Sequence, residues 1–433
     1  MTDTIFALSS GAPPAAIAVV RLSGPEAGAA LEALAGKLPP PRRAVLAVLR
    51  DAVDEILDRA LVLWLPGPGT ATGEDSAELH LHGGRAVVAA VETALAALPS
   101  VRRAEPGEFT RRAFANGCID LAEAEGLADL LSAETELQRR AAMAMLGGTF
   151  SGTVADWHAR VLGLSAALEL VLDFADEDDA HDRLSEGGLP AQFASGCIKL
   201  AGELEVWLAR PRAEPLRDGF RVVLAGPPNT GKSTLFNVLV DDEAAITAPE
   251  PGTTRDVLVR SVAMSGVPFT FVDTAGLRDE GAGAIEQIGI VRARTEAARA
   301  DLVLWLGPEG EGPRKGPVWE IAPQCDRHDA PLKRAAQFVL SAHTGEGVDG
   351  LRAALIEHAR SSLPVPGEVA LNARQHGLLA DVAAALREAS EQFDPLLAAE
   401  SLRLARIALD RLVGRAGTED MLDTLFGRFC IGK

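Results

Sequence analysis

The run Gly226-Pro-Pro-Asn-Thr-Gly231-Lys232-Ser233 spaces two glycines, a lysine and a hydroxyl in the pattern GxxxxGK[ST]. Residues so spaced can hold the phosphates of a nucleotide. Glycines let backbone N–H groups wrap the phosphates, Lys232 reaches the β- and γ-phosphates, and the Ser233 hydroxyl is a ligand for Mg²⁺. The chemistry needs a strand before the loop and a helix after it, and RVVLA and STLFNVLV supply both. Asn229, Thr230, Gly231, Lys232, Ser233 and Thr234 are assigned to the nucleotide on this ground. The stretch Pro251-Gly-Thr253-Thr254 offers threonines for the γ-phosphate and for Mg²⁺, the latter from Thr254. Asp273-Thr274-Ala275-Gly276 closes the apolar run PFTFV, so Asp273 can hold a metal-bound water and the Gly276 N–H can meet the γ-phosphate. Together the three motifs specify a switch GTPase.

Two positions depart from the usual pattern. Leu277 stands where Ras-like enzymes carry a glutamine that orients water, and leucine cannot do so. Glu286, beyond the stretch DEGAGA, is a carboxylate on a segment able to swing in, although a solvated helix residue is the plainer reading of it alone. The base should be read in IAPQCDRHD, residues 321–329, where Pro323 and Gln324 replace the customary Asn and Lys. Asp326 fits the role, accepting hydrogen bonds from N1–H and the amino group of guanine. Ser341-Ala342, after QFVL, can turn a backbone N–H to the guanine O6. Two of three customary readers survive; a competing register would use Asp329.

The elements that must position these residues are legible. Residues 221–358 alternate strand and helix in the order of a parallel α/β sheet, while apolar spacing of three and four marks helices from Leu121 to Asp173, on to Leu208, and over the last seventy or so residues. The first hundred residues mix β-rich runs (AIAVVRL, ALVLWL, AELHLHG) with Ala-rich helices, an α+β pattern. Helices on both sides of the α/β unit would each leave an apolar stripe bare, so they are expected to pack together with the α/β unit inserted between them.

With 433 residues, 47% apolar and 24% charged, the chain has the composition of a soluble multidomain protein. The N-terminus MTDTIFALSS lacks the form of a signal peptide and no apolar run spans a bilayer, so a cytoplasmic location without membrane contact is expected. Cys118, Cys197, Cys325 and Cys430 form no CxxC pair, and each is read first as a small, reduced, buried residue. A net charge of −19 argues against a coat of phosphate-binding cations. Short basic groups at Arg102-Arg103, Arg111-Arg112, Arg139-Arg140 and Arg403, Arg406, Arg411 and Arg415 could meet phosphates, though solvated helix faces are the blander reading.

VVRLSG at 19–24, TGEDSAELHLHGG at 72–84, PGEFTRRAFANGCIDLAEAEGLADL at 106–130, DTAGLR and the terminal CIGK complete the picture. With these motifs the chain resembles the tRNA-modification GTPase family MnmE, also called TrmE, over nearly its full length. The resemblance implies an N-terminal α+β dimerisation and folate-binding domain at 1–118, a helical domain in two parts at 119–215 and 363–433, and an inserted Ras-like GTPase domain at 216–362. It implies GTP, Mg²⁺, K⁺ and a 5-formyl- or 5,10-methylene-tetrahydrofolate as bound groups. The implied partners are a second copy, an FAD protein of the MnmG (GidA) type in a heterotetramer or larger complex, and tRNA modified at C5 of the wobble uridine. By position in the motifs, Arg21, Glu78 and Lys433 match folate contacts, and Cys118 stands where the family commonly has a folate-touching lysine. Asn229 matches a K⁺ ligand completed by Ala248, Glu250 and Thr253. Glu286 matches the catalytic glutamate, and Cys430 a cysteine implicated in the modification. A GTP-controlled scaffold or ribosome-associated switch is the competing reading, disfavoured because a pure switch needs no folate pocket.

Overall fold

The structure is a computed structural model. It describes residues 3–173, 189–190, 192–241, 258–274, 295–314, 316–327, 333–416, 419–427 and 429–432. The chain falls into two compact units, Met1–Ala128 with Leu409–Lys433, and Asp129–Ala408.

In the first unit, strands β1 (Thr4–Leu8) and β2 (Ile17–Ser23), helix α1 (Ala27–Ala35), strands β3 (Val45–Arg50), β4 (Ile56–Leu65) and β5 (Ser76–His82), helix α2 (Arg85–Ala96) and β6 (Val101–Arg103) follow in turn. They form one sheet in the order β3-β4-β5-β2-β1-β6. Alternation along β2 and β5 sends Val20, Leu22, Leu79 and Leu81 to one face, where Leu31 and Leu34 of α1 and Val91 and Leu95 of α2 bury them. The opposite face receives Phe109 of α3 (Glu108–Ala115), which packs with Ile5, Ala7 and Ala104. Helix α4 (Leu121–Ser132) then begins, and the end of the chain returns to it: Phe426 and Phe429 pack with Ala124, Phe114 and Ile119.

A buried cation organises that second face. Arg112 is fully buried and donates to the carboxylates of Asp3 (3.0 Å), Glu74 (3.1 Å) and Glu108 (3.0 Å) and to the Asp3 carbonyl (2.9 Å). Glu74 also accepts from Ser23 Oγ at 2.7 Å, so one guanidinium joins β1, the turn at 72–75, α3 and, through Glu74, β2.

The second unit opens with α5 (Glu136–Leu146), α6 (Thr149–Asp173), α7 (Phe193–Leu208) and the short α8 (Glu214–Arg217). Thr135 and Gln138 form a capping box at the start of α5, which removes two orphan backbone donors. A second sheet follows, of β7 (Phe220–Ala225), β8 (Leu258–Met264), β9 (Val267–Asp273), β10 (Leu302–Trp305), β11 (Val318–Ala322) and β12 (Phe338–Val339), with α9 (Lys232–Asp241) after β7 and α10 (Val348–Ser362) after β12. Its order is β12-β11-β10-β7-β9-β8. Helices α11 (Ala373–Glu391) and α12 (Pro395–Leu412) resume the helical layer, α11 lying against α7 with Leu200, Leu204, Leu379, Val382 and Leu386 buried. The helical domain is therefore interrupted by a P-loop α/β domain, and Ala213 N donates to Leu371 O at 3.0 Å where the chain leaves and returns.

The sheet is not wholly parallel, although the sequence pattern suggests a parallel one. Strand β8 runs antiparallel to β9, joined through Ser265 and Gly266 at φ 49° and 77°. Two successive positive φ angles make the turn that matches strand twist, and Ser-Gly between two apolar runs is its signature.

Removing the Arg112 cation would leave its carboxylates facing one another in a partly buried site. Arg112→Met should therefore destabilise the first unit by about 3–5 kcal/mol in urea denaturation. Burial pushes the Glu108 carboxyl up, but hydrogen bonds from Arg102, the Glu105 N–H and Arg112 outweigh it and hold it below its ordinary value. A depressed carboxylate contributes stability above its unfolded pKa that is lost as pH falls through the folded one. Urea stability of the native unit should thus fall as the pH drops through the acid range, and the cost of Arg112→Met should shrink there as the carboxylates it leaves unpaired take up protons.

Candidate functional site

Strand β7 ends at Ala225 and the chain turns immediately. Gly226 has φ 147°, and a Cβ there would lie 2.9 Å from Gly307 N, so a side chain is excluded. Asn229 and Gly231 are also left-handed, at φ 64° and 89°. Thr230 Oγ1 and Lys232 Nζ both donate to the Pro227 carbonyl, at 2.9 and 2.5 Å, and hold the loop closed. Lys232 is 5% exposed, whereas Ser233 and Thr234 in the first turn of α9 are open to solvent. A buried ammonium at a helix N-terminus, beside glycines that leave the backbone bare, suits an anionic polyphosphate.

Strand β9 brings its last residue, Asp273, opposite Leu224, and Thr274 Oγ1 donates to the Leu224 carbonyl at 2.8 Å. Asp273 is fully buried. The Ser233 hydroxyl and the Asp273 carboxylate are hard oxygen donors of the kind Mg²⁺ takes. Thr253, Thr254, Ala275, Gly276, Leu277, Glu286, Ala248 and Glu250 lie outside the described residues, as does the competing base reader Asp329.

The base-reading residues come together. β12 pairs with β11 through Ala322 and Val339, Leu340 N donates to Ala322 O at 3.0 Å, and Cys325 N donates to Leu340 O at 3.1 Å. This register lets the buried Ser341 hydroxyl donate to the Asp326 carboxylate, holding it below the ordinary carboxylate range. Asp326 is exposed and ionised at neutral pH, an acceptor turned outward, and Ala342 follows Ser341 directly. Gln324 adds a contact the sequence does not advertise: its Nε2 donates to the Asn229 carbonyl at 3.4 Å.

In the first unit, Arg21 on β2 stands directly opposite Glu78 on β5. Arg21 Nε and Nη2 donate to Glu78 Oε1 at 3.2 and 3.0 Å, and His80 Nε2 lies 3.1 Å from Oε2. Burial pushes the Glu78 carboxyl up, yet His80 and Arg21 more than offset it and hold it low. His80 was missed in the sequence, although ELH puts positions 78 and 80 on one face by strand alternation. Cys118 lies beside the turn before β5: a Cβ on Gly73 would come 2.9 Å from its sulfur, and Asn116 Nδ2 donates to Thr72 O at 2.7 Å. The C-terminal tail is anchored, with Ser9 Oγ donating to Gly432 O at 2.9 Å; Lys433 lies outside the described residues. The pair thus presents a carboxylate and a guanidinium, a hydrogen-bond acceptor beside a donor, on a half-covered sheet face.

Two family descriptions cover the chain: "GTP-binding protein TrmE N-terminus" matches residues 4–118 and "MnmE helical domain" residues 121–430. Relatives named tRNA modification GTPase MnmE are 68% identical in Novosphingobium aromaticivorans and 61% identical in Erythrobacter litoralis, each aligned over 100% of both chains. The counterpart in Sphingopyxis alaskensis is 56% identical over 96% of this chain and 100% of its own. The chain belongs to the MnmE family.

As an MnmE-family tRNA modification GTPase it is a GTP hydrolase, and no helix among the described residues is long and apolar enough to cross a membrane. One expectation needs correction against this background. Of the four cysteines only Cys197 is buried; Cys118 and Cys430 are exposed and Cys325 is half-covered, because each of the three sits in a turn, a loop or the tail. The basic groups are largely neutralised at home. Arg102 binds Asp3 and Glu108, Arg103 binds Glu92, Arg111 binds Asp423, Arg139 and Arg140 share Glu136, and Arg403 binds Glu400. With 61 acidic against 42 basic residues, the sequence carries carboxylates in excess for such pairing.

Burial pushes the Cys197 thiol up to about 12, so it has almost no thiolate at neutral pH. Brief iodoacetamide treatment of the native protein, read by peptide mass spectrometry, should label Cys118 and Cys430 and leave Cys197 unmodified until the chain is denatured.

Proposed function

We propose that this chain is a K⁺-activated GTPase that works with an FAD-dependent protein of the MnmG type to install an aminomethyl or carboxymethylaminomethyl group at C5 of the wobble uridine of tRNA. It does so in the cytoplasm as a homodimer joined through residues 1–118, with GTP hydrolysed in residues 216–362 and the helical parts 119–215 and 363–433 carrying the motion. The observation that carries the nucleotide half is the convergence of the buried Lys232 and the Ser341-held Asp326 carboxylate on loops that follow parallel strands. The modification half rests on the Arg21–Glu78–His80 group and on a C-terminal tail pinned to Ser9 in the same unit.

In this reading Lys232 and the first turn of α9 neutralise the phosphates, Ser233, Thr254 and Asp273 serve Mg²⁺ directly or through water, and Asp326 selects guanine. Asn229, with Ala248, Glu250 and Thr253, would hold K⁺, which supplies positive charge beside the phosphates. Glu286 orients the attacking water. Arg21, Glu78, Cys118 and Lys433 would bind a tetrahydrofolate derivative, which supplies the one-carbon unit, and Cys430 would take part in the modification.

Hydrolysis should therefore run in K⁺ and fall by roughly two orders of magnitude in Na⁺, whose smaller radius does not fit the same oxygens. Equal turnover in the two salts would remove the cation from the mechanism. Asp326→Asn reverses hydrogen-bond polarity toward the base, so titration calorimetry should show a preference moved from guanosine toward xanthosine diphosphate by about 1–3 kcal/mol. An unchanged preference would place the base elsewhere. For the modification itself, mass spectrometry of tRNA from cells lacking the gene should show unmodified wobble uridine; a normal profile would leave only a switch.

A further inference from the structure

We propose that Gln324 is a positioning residue that ties the base-reading loop to the phosphate loop, so that guanine and phosphates are bound and released as one unit. The proposal rests on the assignment of Asp326 to guanine and extends it to a residue whose type promises little. Gln324 has φ 60°, a conformation that residues with side chains adopt uncommonly. Arg327 N donates to Gln324 O at 3.0 Å and closes the turn that presents Asp326, so this backbone shape belongs to the base loop itself. The same shape directs the side chain toward the other loop. Nε2 donates to Asn229 O at 3.4 Å, and a Cβ added to Gly231 would stand 3.6 Å from Nε2 and 4.0 Å from Cγ. The stem of Gln324 thus runs along the bare edge of Gly231, and its amide ends on the carbonyl of a residue that is itself left-handed. A surface glutamine of no consequence would be expected to point to solvent from an ordinary backbone conformation. Here two uncommon backbone conformations, one in each loop, face each other through a donor and an acceptor.

The chemistry makes a sharp distinction among substitutions. Only a donor at the end of the side chain can meet the Asn229 carbonyl. Gln324→Lys keeps a donor, Gln324→Glu keeps the shape and replaces the donor with an oxygen that repels the carbonyl, and Gln324→Ala removes the reach altogether. Release of a fluorescent GDP from the full-length protein, measured by stopped flow, should be about tenfold faster in Gln324→Ala and Gln324→Glu, the size expected for one lost hydrogen bond, and within about twofold of native in Gln324→Lys. Hydrogen exchange of peptides covering residues 226–232 should rise in the first two variants and not in the third. The tie is refuted if Gln324→Glu releases GDP at the native rate, or if release quickens with no change of exchange in the phosphate loop, which would confine the residue to the base. General unfolding would lower the melting temperature of all three variants and abolish the rescue by lysine, which also overturns the proposal. The base assignment is tested separately by the xanthosine preference of Asp326→Asn: its failure with the lysine rescue intact would leave the loop tie standing and move the base.

Discussion

Everything at the nucleotide site depends on strand register. β7, β9, β10, β11 and β12 run parallel, with Leu224 opposite Asp273, Ala225 opposite Trp305 and Ala322 opposite Val339. Strands that run parallel and end together deliver their following loops to one edge of a sheet, which is where ligands of such sheets bind. The phosphate loop after Ala225, the carboxylate at Asp273, the turn at 323–327 and Ser341 are four separate pieces of sequence made neighbours by that single constraint. A slip of one residue in β9 would turn Asp273 to the other face of the sheet and take its carboxylate away from the strand end beside Leu224.

The first unit solves a different problem. Its sheet is covered by helices on one face but only partly on the other, where Phe109 of α3 packs at β1 and the Arg21–Glu78 pair stays half-open. Such a face would be weakly specified by apolar contacts alone. Arg112 supplies the specification, since three carboxylates from 3, 74 and 108 must all meet one guanidinium fork. Because Glu74 lies in the turn that leads into β5, the network also sets the approach to Glu78 and to the Gly73–Cys118 contact. The apolar packing that leaves a site open is compensated by ion pairing that holds its frame.

What could be read from the sequence, and what could not, follows the range of the interactions. The phosphate loop is local, eight residues between a strand and a helix, and the structure places it as the pattern requires. The nearness of Asp326 to Ser341 follows from the fold, because each comes after an apolar strand and parallel strands deliver their ends together. The direction of β8 was not legible from the α/β alternation, since it depends on a two-residue turn at Ser265-Gly266 that local pattern reading passed over. The ion pairing of Arg111 with Asp423, and the exposure of Cys118 and Cys430, arise between segments hundreds of residues apart or from tertiary cover, and composition carries no record of either. At Gln324 the sequence shows only what the residue lacks relative to lysine, whereas its contact depends on a backbone angle.

The insertion of the α/β domain has a mechanical consequence. The chain leaves the helical layer at Ala213 and returns at Leu371, and these two residues are hydrogen-bonded to each other, so the covalent connections cross at one place. Gln138 of α5 donates to the carbonyls of Leu216 and Arg217 at 3.1 and 3.3 Å, while Leu137 and Ala141 pack on the α/β core. Next along the chain, the Asp218 carbonyl accepts from Thr270 Oγ1 at 2.7 Å, and a Cβ on Gly219 would lie 2.8 Å from that same oxygen. Thr270 and Asp273 are on one strand, pinned near its far end by Thr274 on Leu224. A residue with a side chain is therefore excluded at Gly219, and the strand that carries Asp273 is hydrogen-bonded directly to the junction that α5 meets. Hydrogen bonds and apolar packing thus join β9, the turn at Asp218-Gly219 and α5 at the one place where the chain passes between the helical layer and the α/β domain.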